Sequence, residues 1–508
     1  MAEKDLSLEG GQLVSATVKR AQPGFASLRT GRWLDRLVLL VTLTAIAGGA
    51  IREVVDPDLW WHLATGRYIV AQRRIPTADV FSFTAATHRW VTHEWLSDLL
   101  LYGGYRLVGF AGLVFLFALL ITTAFALVYQ RCRSRPTLAA CSVLLAAIAS
   151  RVTWGVRPQM FTLFLSSLYL YILDREERSG STGLWLLPPL TLLWANLHSG
   201  FVAGLVIIAV YALGREIQWL ARRAGQGSWI GPGVGRLALA GLLSAGCSLI
   251  TPNGVSVVLF PFGTLGNHLI QANIEEWFSP NFHEPMFWPL AAYWLALLGV
   301  LALSPRRARA TEFLLLVGAA GVSLYSARHT PFLSLVGAPV LASQAEEMRP
   351  RAAGRRVCLP VIQVALVLSQ VALGAVLGMR AYTVVRDNGN PPLTGYPAAA
   401  VAYLREHGIG GRIFNTYHWG GYLIWQGYPV FIDGRAELYG DEVLGEYLKV
   451  QAVKPDWESP LRRYGVEVVL IEADSRLAVV LQESGRWQAV YRDGLATVFV
   501  PARPRLAP

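Results

Sequence analysis

Long apolar runs separated by short polar segments fill the chain from Leu34 to Met379, and beyond Met379 the pattern changes. A helix needs about 20 apolar residues to cross a bilayer, with about 17–25 tolerated. The runs predict eleven spans, near 34–51, 108–129, 136–150, 158–173, 184–197, 201–220, 236–251, 287–303, 311–326, 330–345 and 357–379. Pro188-Pro189 interrupts the fifth, and Asn196-Leu197-His198-Ser199-Gly200 separates it from the sixth. A broken helix or re-entrant pair is expected there. Irregular backbone at membrane depth is tolerated only inside protein or beside a watery cavity.

Past Met379, Asn388-Gly389-Asn390-Pro391-Pro392 reads as a linker, and short apolar strands then alternate with helical patterns. Helices are expected at 398–406, 440–453 and 477–483, and strands at 412–415, 430–433, 466–471, 488–491 and 497–501. The predicted fold class is a polytopic α-helical membrane protein with a small external α/β C-terminal domain. Its parts are an N-terminal tail (1–33), a transmembrane domain (34–379) with a first external loop (52–107), a linker (380–396) and the external domain (397–508).

Arginine orients this arrangement. Arg131, Arg133, Arg135, Arg175, Arg178, Arg215, Arg222, Arg223, Arg236, Arg306, Arg307, Arg309, Arg349, Arg351, Arg355 and Arg356 share one side with the basic N-terminal tail. The loop from Pro252 to Pro285 has no Lys or Arg. By the positive-inside rule the N-terminus is cytoplasmic and, with eleven spans, the C-terminus external. The tail shows no cleavable signal, so the first span is expected to stay in place.

Composition agrees: of 508 residues, 53% are hydrophobic and 16% charged, too few charges to cover a soluble protein of this length. The net charge of +11 is that of the inner loops, not of a nucleic-acid surface, since no basic stripe is interleaved with aromatics. The four cysteines, Cys132, Cys141, Cys247 and Cys358, lie in or beside spans without ligand spacing and read as small apolar residues.

Chemistry gathers on the outer side. Asp56-Pro57-Asp58-Leu59-Trp60-Trp61-His62 follows the first span, and Trp90-Val91-Thr92-His93-Glu94-Trp95 closes the same loop. Asp56 before Pro57 suits a helix N-cap, which leaves Asp58 favoured as the chemical residue. His62 stands at i+4 from Asp58 and shares a helix face with it. That pair, with Asp56, offers either a divalent-metal site or an oriented base. Glu94 either joins this region or caps the following helix. Trp60, Trp61, Trp90 and Trp95 read mainly as an interfacial aromatic belt, with sugar stacking as the alternative. Arg151, Arg157, Arg328 and His329 sit at outer span ends and either snorkel or hold a phosphate. Asn196 and His198, in the broken helix, can line the same cavity. In the C-terminal part, the turns 415–422 and 433–439 follow strands. Each is either a ligand crevice or a plain turn, with Asp433 pairing Arg435 in the second. No G-x-G-x-x-G or P-loop supports a nucleotide cofactor.

These residues resemble the GT-C superfamily of integral-membrane glycosyltransferases, such as the dolichyl-phosphate-mannose protein mannosyltransferases and the lipid A aminoarabinose transferases. More closely, segments 56–63, 194–201, 276–280 and 431–439 are similar to a group of bacterial multi-spanning proteins placed near that superfamily. The mannosyltransferases carry an adjacent Asp-Glu where this chain has Asp-Pro-Asp. The resemblance implies a transferase of the bacterial inner membrane with a polyprenyl-phosphate sugar as donor and a glycan, lipid or protein as acceptor. It implies Asp58 or Asp56 as base, with substrate bound among His62, His93, Glu94, Arg157, Asn196, His198, Arg328 and His329. A divalent metal on Asp56, Asp58 and His62 is the one cofactor it suggests, and some relatives manage without one. Two other classes compete. A flippase for a lipid-linked glycan predicts midplane charges and an internal repeat, neither of which is evident. An envelope scaffold or sensor would not need eleven spans.

Overall fold

The computed structural model describes residues 25–180, 182–222, 231–348, 359–386 and 395–502. The tail to residue 24, Arg223, the basic run 349–356, Cys358 and the linker turn 388–392 lie outside them.

Fourteen helices make up the apolar part of the described chain: α1 (Phe25–Ala50), α2 (Leu59–Gln72), α3 (Trp95–Arg131), α4 (Pro136–Ser150), α5 (Gln159–Ser179), α6 (Leu187–Leu197), α7 (Phe201–Arg222), α8 (Val234–Ser248), α9 (Val255–Gly266), α10 (His268–Asn273), α11 (Trp288–Leu303), α12 (Ala310–Tyr325), α13 (Thr330–Glu347) and α14 (Leu359–Arg386). Each of the eleven predicted spans falls on one of them. Six are long and apolar enough to cross a membrane: those at 33–50, 95–131, 136–153, 201–222, 285–303 and 364–386. The other predicted spans are shorter or more polar helices.

Several expectations shift. α3 starts at Trp95, inside the stretch assigned to the first loop, and kinks at Gly109, whose φ of 66° suits a residue without Cβ. Pro188-Pro189 opens α6 instead of breaking it, because the first helical turn needs no N–H there. The break falls at His198, which is extended (φ −163°, ψ 142°). α2 follows Asp58 directly. It packs against α3 and the C-terminal part, and Trp60, Trp61 and Trp90 are buried, not ranged in a belt.

The C-terminal part adds α15 (Ala398–Glu406), α16 (Gly420–Trp425), α17 (Ala436–Gln451), α18 (Glu458–Arg463) and α19 (Arg476–Glu483) around four strands. These are β1 (Ile413–Asn415), β2 (Val468–Glu472), β3 (Trp487–Arg492) and β4 (Ala496–Pro501), in spatial order β1-β2-β4-β3. β1 and β2 are parallel, and the other two pairings are antiparallel. The predicted strand at 430–433 does not form. Val430 makes single bridges to Ile413 and to Ser82 of the first loop, and the chain then turns at Asp433-Gly434.

That bridge is part of a broad joint between two regions far apart in sequence. Phe83 N–H donates to Val430 C=O and Val430 N–H to Phe81 C=O, both at 3.3 Å. Thr84 Oγ1 donates to Phe431 C=O at 2.6 Å. Trp60 packs edge-on against Tyr422 and Tyr396, with centroids 5.2 and 5.6 Å away. The α/β part is therefore seated on the first loop.

Candidate active site

One cavity of about 1470 Å³ opens between the first loop, the neighbouring helix ends and the turn at Gly434. Its polar end holds Asp56, Asp58, Glu94, Arg157, Glu276 and Arg328. Its other end is apolar, lined by Val206 and Val210 of α7 and by Leu314, Gly318 and Val322 of α12. At 1.5 Å rise per residue, Val210 lies about 13 Å along α7 from Phe201. The cavity is thus a charged chamber continued by an apolar slot.

The charges form a chain. Arg157 Nε lies 2.9 Å from Asp56 Oδ2, and Arg157 Nη2 donates to Glu276 Oε1 at 2.6 Å. Arg328 Nη1 lies 3.6 Å from Glu276 Oε2, with its guanidinium over the Trp277 ring. Asp56 also caps the turn into α2, accepting the Asp58 N–H at 3.0 Å. Burial pushes the Asp56 carboxyl up, and Arg157 opposes that shift. Glu276 is held below its ordinary value: burial would raise it, but Arg157 and Arg328 outweigh that.

Asp58 differs. Among the described residues no cation lies within ion-pair distance of its carboxylate. Burial, and then the charges of Asp56 and Glu276, push it well above the ordinary range. Burial raises the proton affinity of Asp58, and beside open volume its ionised fraction can act as a general base.

Glu94 faces three imidazoles. His198 Nε2 is 3.5 Å from Oε1, while His93 and His62 Nε2 are 3.7 and 3.9 Å from Oε2. Their other nitrogens are committed. His93 Nδ1 donates to Val91 C=O at 3.2 Å, His198 Nδ1 accepts the Gly200 N–H at 2.9 Å, and His62 Nδ1 meets Asp98 Oδ1 at 2.6 Å. Burial raises the Glu94 carboxyl to about 8 and lowers His93 to about 4. Burial also lowers His62, His198 and His329, the last to about 4. At neutral pH this wall is close to uncharged.

The structure therefore brings Asp56, Asp58, His62, His93, Glu94, Arg157, His198, Arg328 and His329 to one cavity. Asn196 it places elsewhere. Its Oδ1 accepts from Trp95 Nε1 at 2.9 Å, and its Nδ2 donates to the Leu192 and Ile250 carbonyls. It lines a separate recess because it is the last turn of α6, while His198 lies beyond the break. The expected metal set, Asp56, Asp58 and His62, does not assemble. Asp56 is drawn to Arg157 and His62 to Asp98, and among the described residues no three His, Cys, Asp or Glu side chains are arranged to hold a metal ion.

Three contributors went unassigned in the sequence. Glu276 bridges both arginines; its place in an outer loop without Lys or Arg was a usable signal. Glu437 lines the cavity within the turn 433–439, offered above as a ligand crevice, while Asp79 gave no signal, because its partner Arg435 lies 356 residues away.

No family model and no curated protein sequence matches the chain. Solved structures do share its fold. ArnT from Cupriavidus metallidurans, bound to undecaprenyl phosphate, superposes with a TM-score of 0.51 at 14% identity, over 96% of this chain and 100% of that one. The archaeal oligosaccharyltransferase AglB from Archaeoglobus fulgidus, in complex with an inhibitory peptide and a dolichol-phosphate, gives 0.53 at 9% identity, over 95% and 75%. The expected fold class is thus observed: a mostly helical fold with membrane-length helices and a small C-terminal sheet, shared with these two solved structures.

Proposed function

We propose that this chain is a membrane glycosyltransferase that moves a sugar from a polyprenyl-phosphate donor to an acceptor at the outer face of the bacterial inner membrane. One observation carries the reading. Asp58, without a cationic partner among the described residues, shares a chamber with Arg157 and Arg328, and that chamber runs on into an apolar slot between α7 and α12. A lipid-linked phosphate has this same division, an anionic head on a long apolar tail. The two solved structures above, which hold undecaprenyl phosphate and a dolichol-phosphate, support the same donor class.

In this mechanism the donor's tail lies along Val206, Val210 and Leu314 and its phosphate meets Arg328 and Arg157. Guanidinium groups match phosphate oxygens in a bidentate way. Asp58, in its ionised form, takes the proton of the acceptor hydroxyl. That oxygen bonds to the anomeric carbon as the bond from that carbon to the phosphate oxygen breaks, and the electron pair leaves with the polyprenyl phosphate. The leaving group departs charged and stays paired with arginine, so no acid is required. Asp56 holds Arg157 and the turn that presents Asp58. No step is routed through a metal, because the donor set does not form a site for one. The basic loops at the far helix ends orient the chamber outward and the N-terminus to the cytoplasm.

The test is transfer of labelled sugar from a panel of undecaprenyl-phosphate-linked hexoses and pentoses in proteoliposomes. Asp58→Asn should abolish it and Asp56→Asn reduce it. Full activity in both variants and in the double variant would remove the proposed base. Label that crosses the bilayer without covalent transfer would instead favour a flippase.

A further inference from the structure

The turn Asp433-Gly434-Arg435 lies next to Asp58 and borders the chamber, but the guanidinium of Arg435 is spent on carboxylates. Arg435 is almost wholly buried. Its Nε and Nη2 donate to Asp433 Oδ1 and Oδ2 at 2.8 and 2.6 Å, and its Nη1 donates to Asp79 Oδ1 of the first loop at 2.7 Å. The guanidinium lies over Trp90, 4.5 Å from the ring centroid, and Tyr439 donates its hydroxyl to Asp433. Asp79 in turn accepts the Phe81 and Ser82 N–H groups at 3.1 and 2.9 Å. One cation thus clamps two carboxylates from segments that are 356 residues apart at the Asp79 end.

The clamp fixes Gly434 against Asp58. A Cβ on Gly434 would stand 1.8 Å from Asp58 Oδ1, so the carboxylate rests on bare backbone. The Gly434 φ is outside the left-handed region, so alanine is tolerated by the backbone itself. What a methyl group there must displace is the tip of the Asp58 side chain.

We propose that Asp433-Gly434-Arg435 is the positioning element for Asp58: Arg435 clamps the turn to the first loop, and Gly434 sets where the carboxylate lies. The C-terminal part is then a fixed half of the chamber and not a lid over it. Arg435 is a positioning residue, not a catalytic one, and the assignment rests on the reading of Asp58 as base.

Dicyclohexylcarbodiimide tests it without a known substrate, because it modifies only protonated carboxyls in apolar surroundings. The full-length protein in detergent is labelled at neutral pH, and modification of Asp58 and Glu94 is read by peptide mass spectrometry. A methyl at Gly434 pushes the Asp58 carboxylate toward cavity water, where it ionises. Gly434→Ala should therefore lower Asp58 labelling about fivefold and leave Glu94 within about twofold. Arg435→Lys, which keeps the charge but loses the planar fork, should move Asp58 labelling the same way. Gly434→Ala should also lower the thermal midpoint, and that loss should vanish in an Asp58→Ala background, where nothing is left to displace. Unchanged Asp58 labelling in both variants, or a thermal loss that persists without the Asp58 carboxylate, overturns the proposal. Should Gly434→Ala not fold, Arg435→Lys alone decides by the same labelling. Normal transfer by Asp58→Asn sinks the base assignment separately, whatever the labelling shows.

Discussion

The helices bury arginine among carboxylates at both ends, and the two ends use it differently. Away from the chamber, Arg131 Nε donates to Asp174 at 2.8 Å and its Nη1 to Leu335 C=O at 2.7 Å, while Tyr211 donates to the other Asp174 oxygen at 2.5 Å. Arg215 meets Glu176 at 2.5 Å, and Arg306 and Arg309 share Glu312 at 2.8 and 3.0 Å. The void among these groups is about 30 Å³. At the chamber end, Arg157 must serve both Asp56 and Glu276, Arg328 reaches Glu276 only at 3.6 Å, and Asp58 has no ion-pair cation among the described residues, all around about 1470 Å³. The same residue types thus do two jobs. Where carboxylates are matched at close range, the helices are tied together. Where charge is left partly unspent beside open volume, the proposed function places a charged ligand.

Breaking each end should separate chemistry from stability. The largest effect is expected for Asp58→Asn, which should lower sugar transfer by about 10²–10⁴-fold with little change in thermal midpoint. At the opposite end, Arg131→Gln leaves buried Asp174 with only the longer Arg178 contact at 3.3 Å and the Tyr211 hydroxyl, and should cost up to about 3–5 kcal/mol of stability. Thermal unfolding in detergent measures it, and the transfer rate per folded molecule should hold. If Arg131→Gln lowers the transfer rate of folded protein as Asp58→Asn does, the division of labour is wrong.

A pH titration of stability probes the chamber wall. The folded pKa of Glu94, about 8, lies above its unfolded value. Its contribution is complete below the unfolded pKa of about 4 and is lost as pH rises through the folded one. His93, lowered to about 4, acts in the opposite sense: its contribution is present above the unfolded pKa and is lost as pH falls through 4. Glu94→Gln should flatten the decline between pH 5 and 8 by on the order of 3 kcal/mol, read from midpoints across that range. A parallel decline in the variant would contradict a protonated Glu94.

Arg328→Gln should weaken binding of undecaprenyl phosphate by about tenfold, since one charge-assisted contact is lost. Arg306→Gln, at the closed end, should leave that affinity unchanged in the same titration. The smallest effect belongs to Asn196→Ala, which removes the bond from Trp95 and should cost about 1 kcal/mol of stability. An accompanying loss of lipid affinity would return Asn196 to the chamber.

Much of this was legible along the chain. The predicted spans coincide with helices because apolar length is a local property. α15 falls on 398–406 as its pattern predicts. Asp56, Asp58, Arg157 and Arg328 were recognisable as ionisable groups at span ends, where burial is costly and partners are needed. The pattern failed where the partner came from elsewhere. Val430–Asp433 looked like a strand by its β-branched and aromatic content, yet its neighbour is the first loop. The tryptophans looked like a belt, yet the C-terminal part covers them.

The sequence by itself determined where the long apolar helices lie, where charge collects, and that the two sides of the helices differ in basic residues. These follow from apolar length and charge counts, which need no distances. Only the tertiary structure decided which charges are spent: Asp56 on Arg157, His62 on Asp98, Arg435 on Asp79, with Asp58 left to the chamber. Whether a buried charge is matched depends on ångström-scale separations between elements distant in sequence, and a one-dimensional pattern does not carry those separations.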